Sequence, residues 1–304
     1  MMYNEKRKEQ FLKERNEHKK LGRNTLIGFL KASRLEECYK KDLCEWTTKE
    51  IISFYKYLST PRAQSLIVLN SCFRIYTDWC LNNGNVPDHQ NHYAEITTFD
   101  ICNCVNTNEL KKLIVSRDEL LYYISDLKNY SDQFIFLGIF EGLGLNSNIL
   151  GNIRFDQVDY DKKVVYFDEK TIPISDKLVS IIKNSKDKED GRIPVGKSVS
   201  RKTTSYIQTD TIIRQGERKN SQADLNKLIG YRFRACLNKM GLYKEITRKD
   251  ISESGRIDLI KKMMKDKNIS LDEALSHQHR NDHEAIYGKI MNKEIYKNTY
   301  GKFI

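Results

Sequence analysis

The chain has 304 residues, 39% hydrophobic and 31% charged, with a net charge of +11 and a pI near 9.1. That length holds one large or two ordinary cores, and 10% aromatic residues exclude a disordered chain. No apolar run approaches the roughly 18–20 residues that span a bilayer, and YNEKRKEQFLKERNEHKK near the start lacks the apolar core of a secretory leader, so a soluble, cytoplasmic protein without membrane partners is expected.

Along the chain, residues 1–21 read as a mixed-charge helix with a thin apolar face, Phe11 and Leu12, which predicts a solvated arm. Helical segments follow over 22–108. One opens near Thr25, and a second is N-capped by Thr47 or Thr48 and carries Ile51, Ile52, Tyr55 and Leu58. A longer one carries Leu66, Leu69, Phe73, Tyr76 and Cys80 at three- and four-residue steps and stops at Asn82-Asn83-Gly84. Residues 101–113 read as a connector, with 109–116 as the linker proper. Ser116 is a good N-cap for the next helix, and Phe134, Leu137 and Phe140 lie on another. Two or three short strands are expected, around 155–158, 164–167 and 171–174, from β-branched and aromatic content, with Asp168-Glu169-Lys170 as a tight connection. Helices return after Asp176, interrupted by a polar loop at 184–191 and an uncertain stretch at 196–222. The expected class is therefore mainly α with a small β-sheet, an α+β domain behind an all-helical one.

The basic balance fits a polyanion, because Lys and Arg neutralise phosphates and release counterions; residues 201–304 hold 22 Lys and Arg against 13 Asp and Glu. The cysteines at 38, 44, 72, 80, 102, 104 and 236 are odd in number and mostly lie in apolar helical pattern, which suits reduced core thiols. His89, His92, Cys102 and Cys104 could be read as a zinc site, but Cys-x-Cys is not the usual knuckle spacing. A loop histidine pair with two packed thiols is the preferred reading, so no metal and no cofactor are expected. His277, His279 and His283 also have metal-compatible spacing on a helix, and are likewise read as non-ligating.

Four segments together resemble the tyrosine recombinases, or phage integrases. DLCEWTTKEIISFYKYLSTPRAQSLIVLNSCFRIYTDWCLNNG resembles their core-binding (SAM-like) domain, whose helices clamp a duplex. DQFIFLGIFEGLGLNSNILGNIRFDQVDYDKKVVYFDEKTIPIS resembles the start of their catalytic domain. ITRKDISESGRIDLIKKM is similar to the helix that carries the family's His-x-x-Arg motif, and LSHQHRNDHEAIYGKI to the segment with the late histidine and the nucleophilic tyrosine. The resemblance implies a two-domain tyrosine-recombinase-like fold: a core-binding domain over 22–108 and a catalytic-like domain over 117–304. The family's tyrosine attacks a phosphodiester, two arginines stabilise the growing charge, and a lysine helps protonate the leaving oxygen. Transferred by position, the first arginine falls on Gly144 and the second on Ser252. The residue that opens the His-x-x-Arg motif is Lys249, the lysine is Lys170, the late histidine is His277 and the nucleophile is Tyr287. Arg154 and Arg256 are the candidate substitutes for the missing arginines, and Tyr287 reads equally as a relic nucleophile or as a packed aromatic. With both arginines absent the resemblance implies a binder without catalysis.

Its expected DNA contacts are Arg62, Gln64, Ser65 and Arg74 on the long helix, and Lys170, Arg201, Lys202, Arg248, Lys249, Arg256, His277 and Arg280 in the catalytic-like domain. Motif order, the SESG segment and the degenerate arginine positions most resemble the integrase-derived lytic-cycle repressors of SPbeta-like Bacillus phages. That group implies operator binding to double-stranded DNA in the nucleoid of a bacterial host, with room for self-association on DNA and for a protein or peptide antagonist. A divergent active recombinase or nickase, and an accessory protein occupying integrase sites, are the competing readings.

Overall fold

The computed structural model describes residues 2–16, 23–144, 147–167, 170–187, 191–192, 204–205, 210–213, 222–242, 246–290 and 292–304. Its contacts divide into two units, Met1–Lys111 with Glu294–Lys302, and Lys112–Lys293 with Phe303–Ile304.

The first unit is helical among its described residues: α1 (Glu5–Asn16), α2 (Arg23–Tyr39), α3 (Thr48–Tyr57), α4 (Ala63–Asn82), α5 (Thr98–Cys102) and α6 (Thr107–Lys111). Thr47 caps α3 through a reciprocal pair with Glu50, and α4 ends at Asn83 before Gly84 turns the chain at φ +66°. The aromatic residues that gave α3 and α4 their helical periodicity meet inside. Phe54, Tyr55, Phe73 and Tyr76 are fully buried, together with Trp46 and Tyr93.

The expectation of a solvated N-terminal arm is corrected here. Phe11 of α1 is fully buried, edge-on to Phe29, Tyr76 and Trp79 at 6.0, 5.1 and 5.7 Å. Beside it Lys8 Nζ, also fully buried, donates to both Glu36 carboxylate oxygens at 2.6 Å and to the Tyr3 carbonyl at 2.8 Å. A buried ammonium is tolerated only with such partners, so a residue that reads as surface charge in the sequence is a core contact. The connector expected over 101–113 is also structured: it contains the end of α5 and all of α6, with Ile101 and Leu110 buried.

The second unit contains α7 (Arg117–Ser125), α8 (Tyr130–Phe140), α9 (Ser147–Asn152), β1 (Val158–Asp159), β2 (Val164–Phe167), β3 (Lys170–Pro173), α10 (Asp176–Asp187), β4 (Gly191–Arg192), β5 (Thr204–Ser205), α11 (Gln222–Met240), α12 (Arg248–Lys267), α13 (Leu271–Ala274) and α14 (His277–Tyr287). Its centre is α8, whose residues 131–140 are all buried; a helix apolar on nearly every side belongs inside a core. Packed against it are α7, α10, α11 and α12. Asp132 of α8 is held by a buried Arg232 of α11 at 2.6 Å.

The small sheet is an antiparallel meander in the order β1-β2-β3, with Val165 opposite Val158 and Ile172. Val165 and Ile172 face the core while Tyr166 is exposed, the two-residue alternation of a half-buried sheet. The first strand is shorter than expected. Residues 155–157 form a 3-10 turn, in which the Gln157 N–H donates back to the Arg154 carbonyl at 3.2 Å while the Phe155 N–H donates to the Asp210 carbonyl at 2.9 Å. Lys170 opens β3 opposite Phe167; residues 168 and 169, the rest of the expected tight connection, lie outside the described residues, as does most of 196–222. The polar loop expected from 184 starts later, since α10 runs to Asp187.

The chain closes with α15 (Lys293–Tyr300), which from Glu294 onward belongs to the first unit. Tyr296 and Thr299 are buried there, and the Thr299 hydroxyl donates to the Cys102 sulfur at 4.0 Å.

Candidate nucleic-acid interface

In the first unit, Arg62 is the residue that caps α4, with extended backbone and no side-chain cap hydrogen bond. Gln64, Ser65 and Arg74 are exposed on the same helix. At about 1.5 Å rise per residue, Gln64 and Arg74 stand roughly 15 Å apart along the axis. His92 is held by Asp88 at 3.0 Å and Glu95 at 3.3 Å, the Cys104 thiol donates to the Asp100 carbonyl at 3.2 Å, and no metal-holding group of His, Cys, Asp or Glu occurs among the described residues.

In the second unit, two of the positions singled out by the resemblance, Gly144 and Tyr287, lie by the end of α8. Phe140 is its last residue, and the chain leaves it through Gly142 at φ +88° and Gly144 at φ +123°. The latter is backbone that an L side chain rarely adopts, so the position to which the resemblance transfers the first arginine favours glycine. Helix α14 lies close over this exit: a Cβ on Gly142 would meet Ile286 Cγ2 at 2.0 Å. One on Gly255 of α12 would meet the Phe140 carbonyl oxygen at 1.7 Å and the Tyr287 hydroxyl at 2.9 Å. Through that gap the Tyr287 hydroxyl donates to the Phe140 carbonyl at 2.5 Å, which fills one of the acceptors that a helix C-terminus leaves open. Burial pushes the phenol well above its ordinary pKa. In this arrangement Tyr287 is a neutral donor to the main chain.

The position to which the resemblance transfers the second arginine is also enclosed. Ser252 is buried within α12. Arg256, one turn on, is buried too, and it donates through Nη2 to the carbonyls of Tyr287 at 2.5 Å and Gly288 at 3.0 Å, with its guanidinium 5.8 Å from the Tyr287 ring. It caps the C-terminus of α14, where a cation is favoured. This corrects its expected place among the DNA-lining charges: its guanidinium is directed at the main chain, and its alkyl stem is packed. Arg154, the other candidate substitute, is exposed and forks onto Asp156 at 3.0 and 2.7 Å.

Three of the expected DNA contacts of this unit are exposed. Lys170 at the start of β3, Lys249 in the first turn of α12 and His277 at the start of α14 are open to solvent. Arg248 is half-buried, and burial followed by repulsion from Arg234 lowers its pKa. Arg201 and Lys202 lie outside the described residues, and the Arg280 side chain is not among those described. His283, by contrast, is fully buried, and desolvation followed by Arg256 pushes its pKa down to about 4.

One cluster has no counterpart in the expectations. Arg117 is bonded to Glu141 and lies 3.9 Å from Asp258, and Glu141 also accepts from the Ser175 N–H at 2.8 Å and hydroxyl at 2.6 Å. These residues line a cleft of about 430 Å³ that reaches Gly255 and Tyr287. Arg117 is visible in the sequence only as the residue after an N-cap, and nothing in the spacing links it to Glu141.

Family models of known proteins match both parts of the chain: the MrpR N-terminal core-binding domain over residues 2–82 and the MrpR C-terminal catalytic domain over residues 114–301. A relative from Bacillus subtilis (strain 168), the SPbeta prophage-derived uncharacterized protein YopR, is 21% identical over 208 residues. The match covers 64% of this chain and spans about 62% of the relative's length. Among solved structures, the Tn1549 transposon integrase in complex with a circular intermediate DNA aligns over 98% of this chain and 95% of its own, at 11% identity and a TM-score of 0.44.

Proposed function

The chain belongs to the MrpR family, with that family's core-binding and catalytic domains and a tyrosine-recombinase-like architecture, and from that premise we propose that it is a sequence-specific DNA-binding repressor without recombinase activity, holding a temperate phage in lysogeny. The observation that carries the reading is the state of the relic centre. The resemblance puts Gly144 and Ser252 at the positions of two charge-stabilising arginines, the Tyr287 hydroxyl donates a hydrogen bond to a main-chain carbonyl, and Arg256 serves as a helix cap. Losing one such donor lowers a rate by roughly 10²–10³, and losing both leaves little chemistry. The net charge of +11 and the prophage origin of the YopR relative support a role on phage DNA.

Three measurements test this. On nicked duplexes carrying a bound site, no 3′-phosphotyrosyl adduct is expected, and Tyr287→Phe should bind DNA as the wild type does; an adduct that vanishes in Tyr287→Phe would refute the inactive reading. A clamp touching about six to eight phosphates should give a slope of log affinity against log salt of about −5 to −7. Replacing Lys170 or Lys249 with Ala should flatten that slope by about one while weakening all sequences alike. Replacing Arg62 or Gln64 should instead erode selectivity at one base pair by about 1–3 kcal/mol. Mapping of bound sites across the host genome should find them clustered at phage promoters; a single attachment site would assign the protein to integrase regulation instead.

A further inference from the structure

The exposed face shared by α2 and α4 combines apolar and cationic groups. The two helices cross closely at Gly28, where a Cβ would lie 2.5 Å from Leu69 Cδ1, and Thr25 Oγ1 reaches Cys72 Sγ at 3.4 Å. Above the crossing is an open groove of about 350 Å³, walled by Ile27, Lys31, Gln64, Ser65 and Val68 among others. In its wall Ile27 and Val68 remain 39 and 40% exposed. Exposed apolar side chains in a groove beside polar ones mark a binding surface.

Its charge indicates what it binds. No Asp or Glu is among the described residues that line the groove, while Lys31 is; Arg34 is exposed one turn on from Lys31 and Arg62 stands at the head of α4, and the exposed carboxylates of the two helices, Glu37 and Asp78, come later in each. A groove with cations at its rim and no carboxylate in its wall complements a polyanion. Gln64 and Ser65 sit in the wall of the groove beside Val68 and Ile27. In the DNA major groove an A·T pair presents two features side by side: the adenine N6/N7 edge, which a glutamine side chain matches, and the thymine C5 methyl, which is read by apolar contact.

We propose that the α2–α4 groove reads thymine methyls, with Ile27 and Val68 against the methyl groups, Gln64 on the adenine edge, and Lys31 and Arg34 on the flanking phosphates, so that the preferred duplex carries A·T pairs at this contact. The inference rests on the DNA-binding reading above and adds to it the base composition that this surface selects.

The test removes only the methyl. Duplexes selected by the full-length protein from a random pool are compared with the same duplexes carrying uracil for thymine, in all positions and then one at a time. Each methyl read should be worth about fourfold in affinity, the scale of burying one methylene-sized group, so full replacement should weaken binding on the order of tenfold, with the effect confined to a few adjacent positions. Ile27→Ala and Val68→Ala should bind the thymine duplex as weakly as the uracil one and leave the salt slope unchanged. Equal binding of thymine and uracil duplexes by the wild type, which depends on no variant's folding, overturns the proposal. So does a Val68→Ala protein that still discriminates fully, the result expected if a partner protein occupies the groove. If selection yields no preferred duplex, the DNA-binding reading falls and this one with it, whereas selective binding that ignores the methyls overturns the methyl reading alone.

Discussion

The most demanding test of the first unit is Glu36→Ala. In the folded chain Lys8 Nζ has the two Glu36 oxygens and the Tyr3 carbonyl as hydrogen-bond partners, with the Tyr3 and Phe29 rings 5.9 and 5.5 Å away. Glu36 Oε1 also accepts from the Leu43 N–H at 2.8 Å. Removing the carboxylate leaves an ammonium at zero exposure with one carbonyl, and leaves a buried N–H without its acceptor. Breaking a buried pair from one side costs about 3–5 kcal/mol, a large part of the roughly 5–15 kcal/mol that stabilises an ordinary domain. Both tryptophans, Trp46 and Trp79, lie in this unit, so urea unfolding followed by tryptophan fluorescence reports on it selectively. The experiment belongs at pH 8, because burial pushes the Glu36 carboxyl up to about 7 and the pair is then ionised. Replacing both partners, Lys8→Met with Glu36→Leu, should recover most of the loss, since an apolar pair of similar volume carries no desolvation penalty. A Glu36→Ala protein within about 1 kcal/mol of wild type would refute the argument and return α1 to the status of a solvated arm.

Three further outcomes are expected in the second unit. His283 titrates in the unfolded chain near 6.5 but in the folded one only near 4, so its folded pKa is depressed and the unfolded state takes up the proton first. Stability should be independent of this group above about pH 6.5 and fall as pH drops toward 4, by at most roughly 3 kcal/mol; thermal unfolding of His283→Phe should lack that component, and an unchanged pH profile would contradict it. Gly255→Ala, a change that stabilises an ordinary helix by about 0.5–1 kcal/mol, should instead destabilise by about 1–3 kcal/mol, because its Cβ collides with the Phe140 carbonyl; a higher melting temperature would show that α12 and α8 are not so close. Gly144→Arg combined with Ser252→Arg should not restore strand cleavage on a nicked duplex, since residue 144 sits at φ +123° and Ser252 is buried; recovery of a Tyr287 adduct would contradict the account of the relic centre.

Much of the architecture is local, and therefore legible in the chain itself. Thr47, Ser116 and Thr247 each precede an acidic residue by three positions and cap a helix through it. The periodic apolar residues of α4 and the alternation of β2 are short-range patterns that need no knowledge of the partner surface. The order of the four integrase-like segments is likewise a property of the chain, and with it the absence of arginine at 144 and 252. Tertiary packing decided which of two chemically possible fates each ambiguous side chain took. Lys8, one charge among many in a mixed-charge helix, is buried because Glu36 of α2 meets it. Arg256, a plausible substitute for a missing arginine, is a helix cap because the end of α14 arrives beside it. Tyr287, readable as nucleophile or packed aromatic, donates a hydrogen bond to the Phe140 carbonyl, 147 residues earlier in the chain. Periodicity and capping depend on neighbours three or four residues away, whereas the partner of a charge or a hydroxyl is set by whichever distant segment the collapsed core brings within about 3 Å of it.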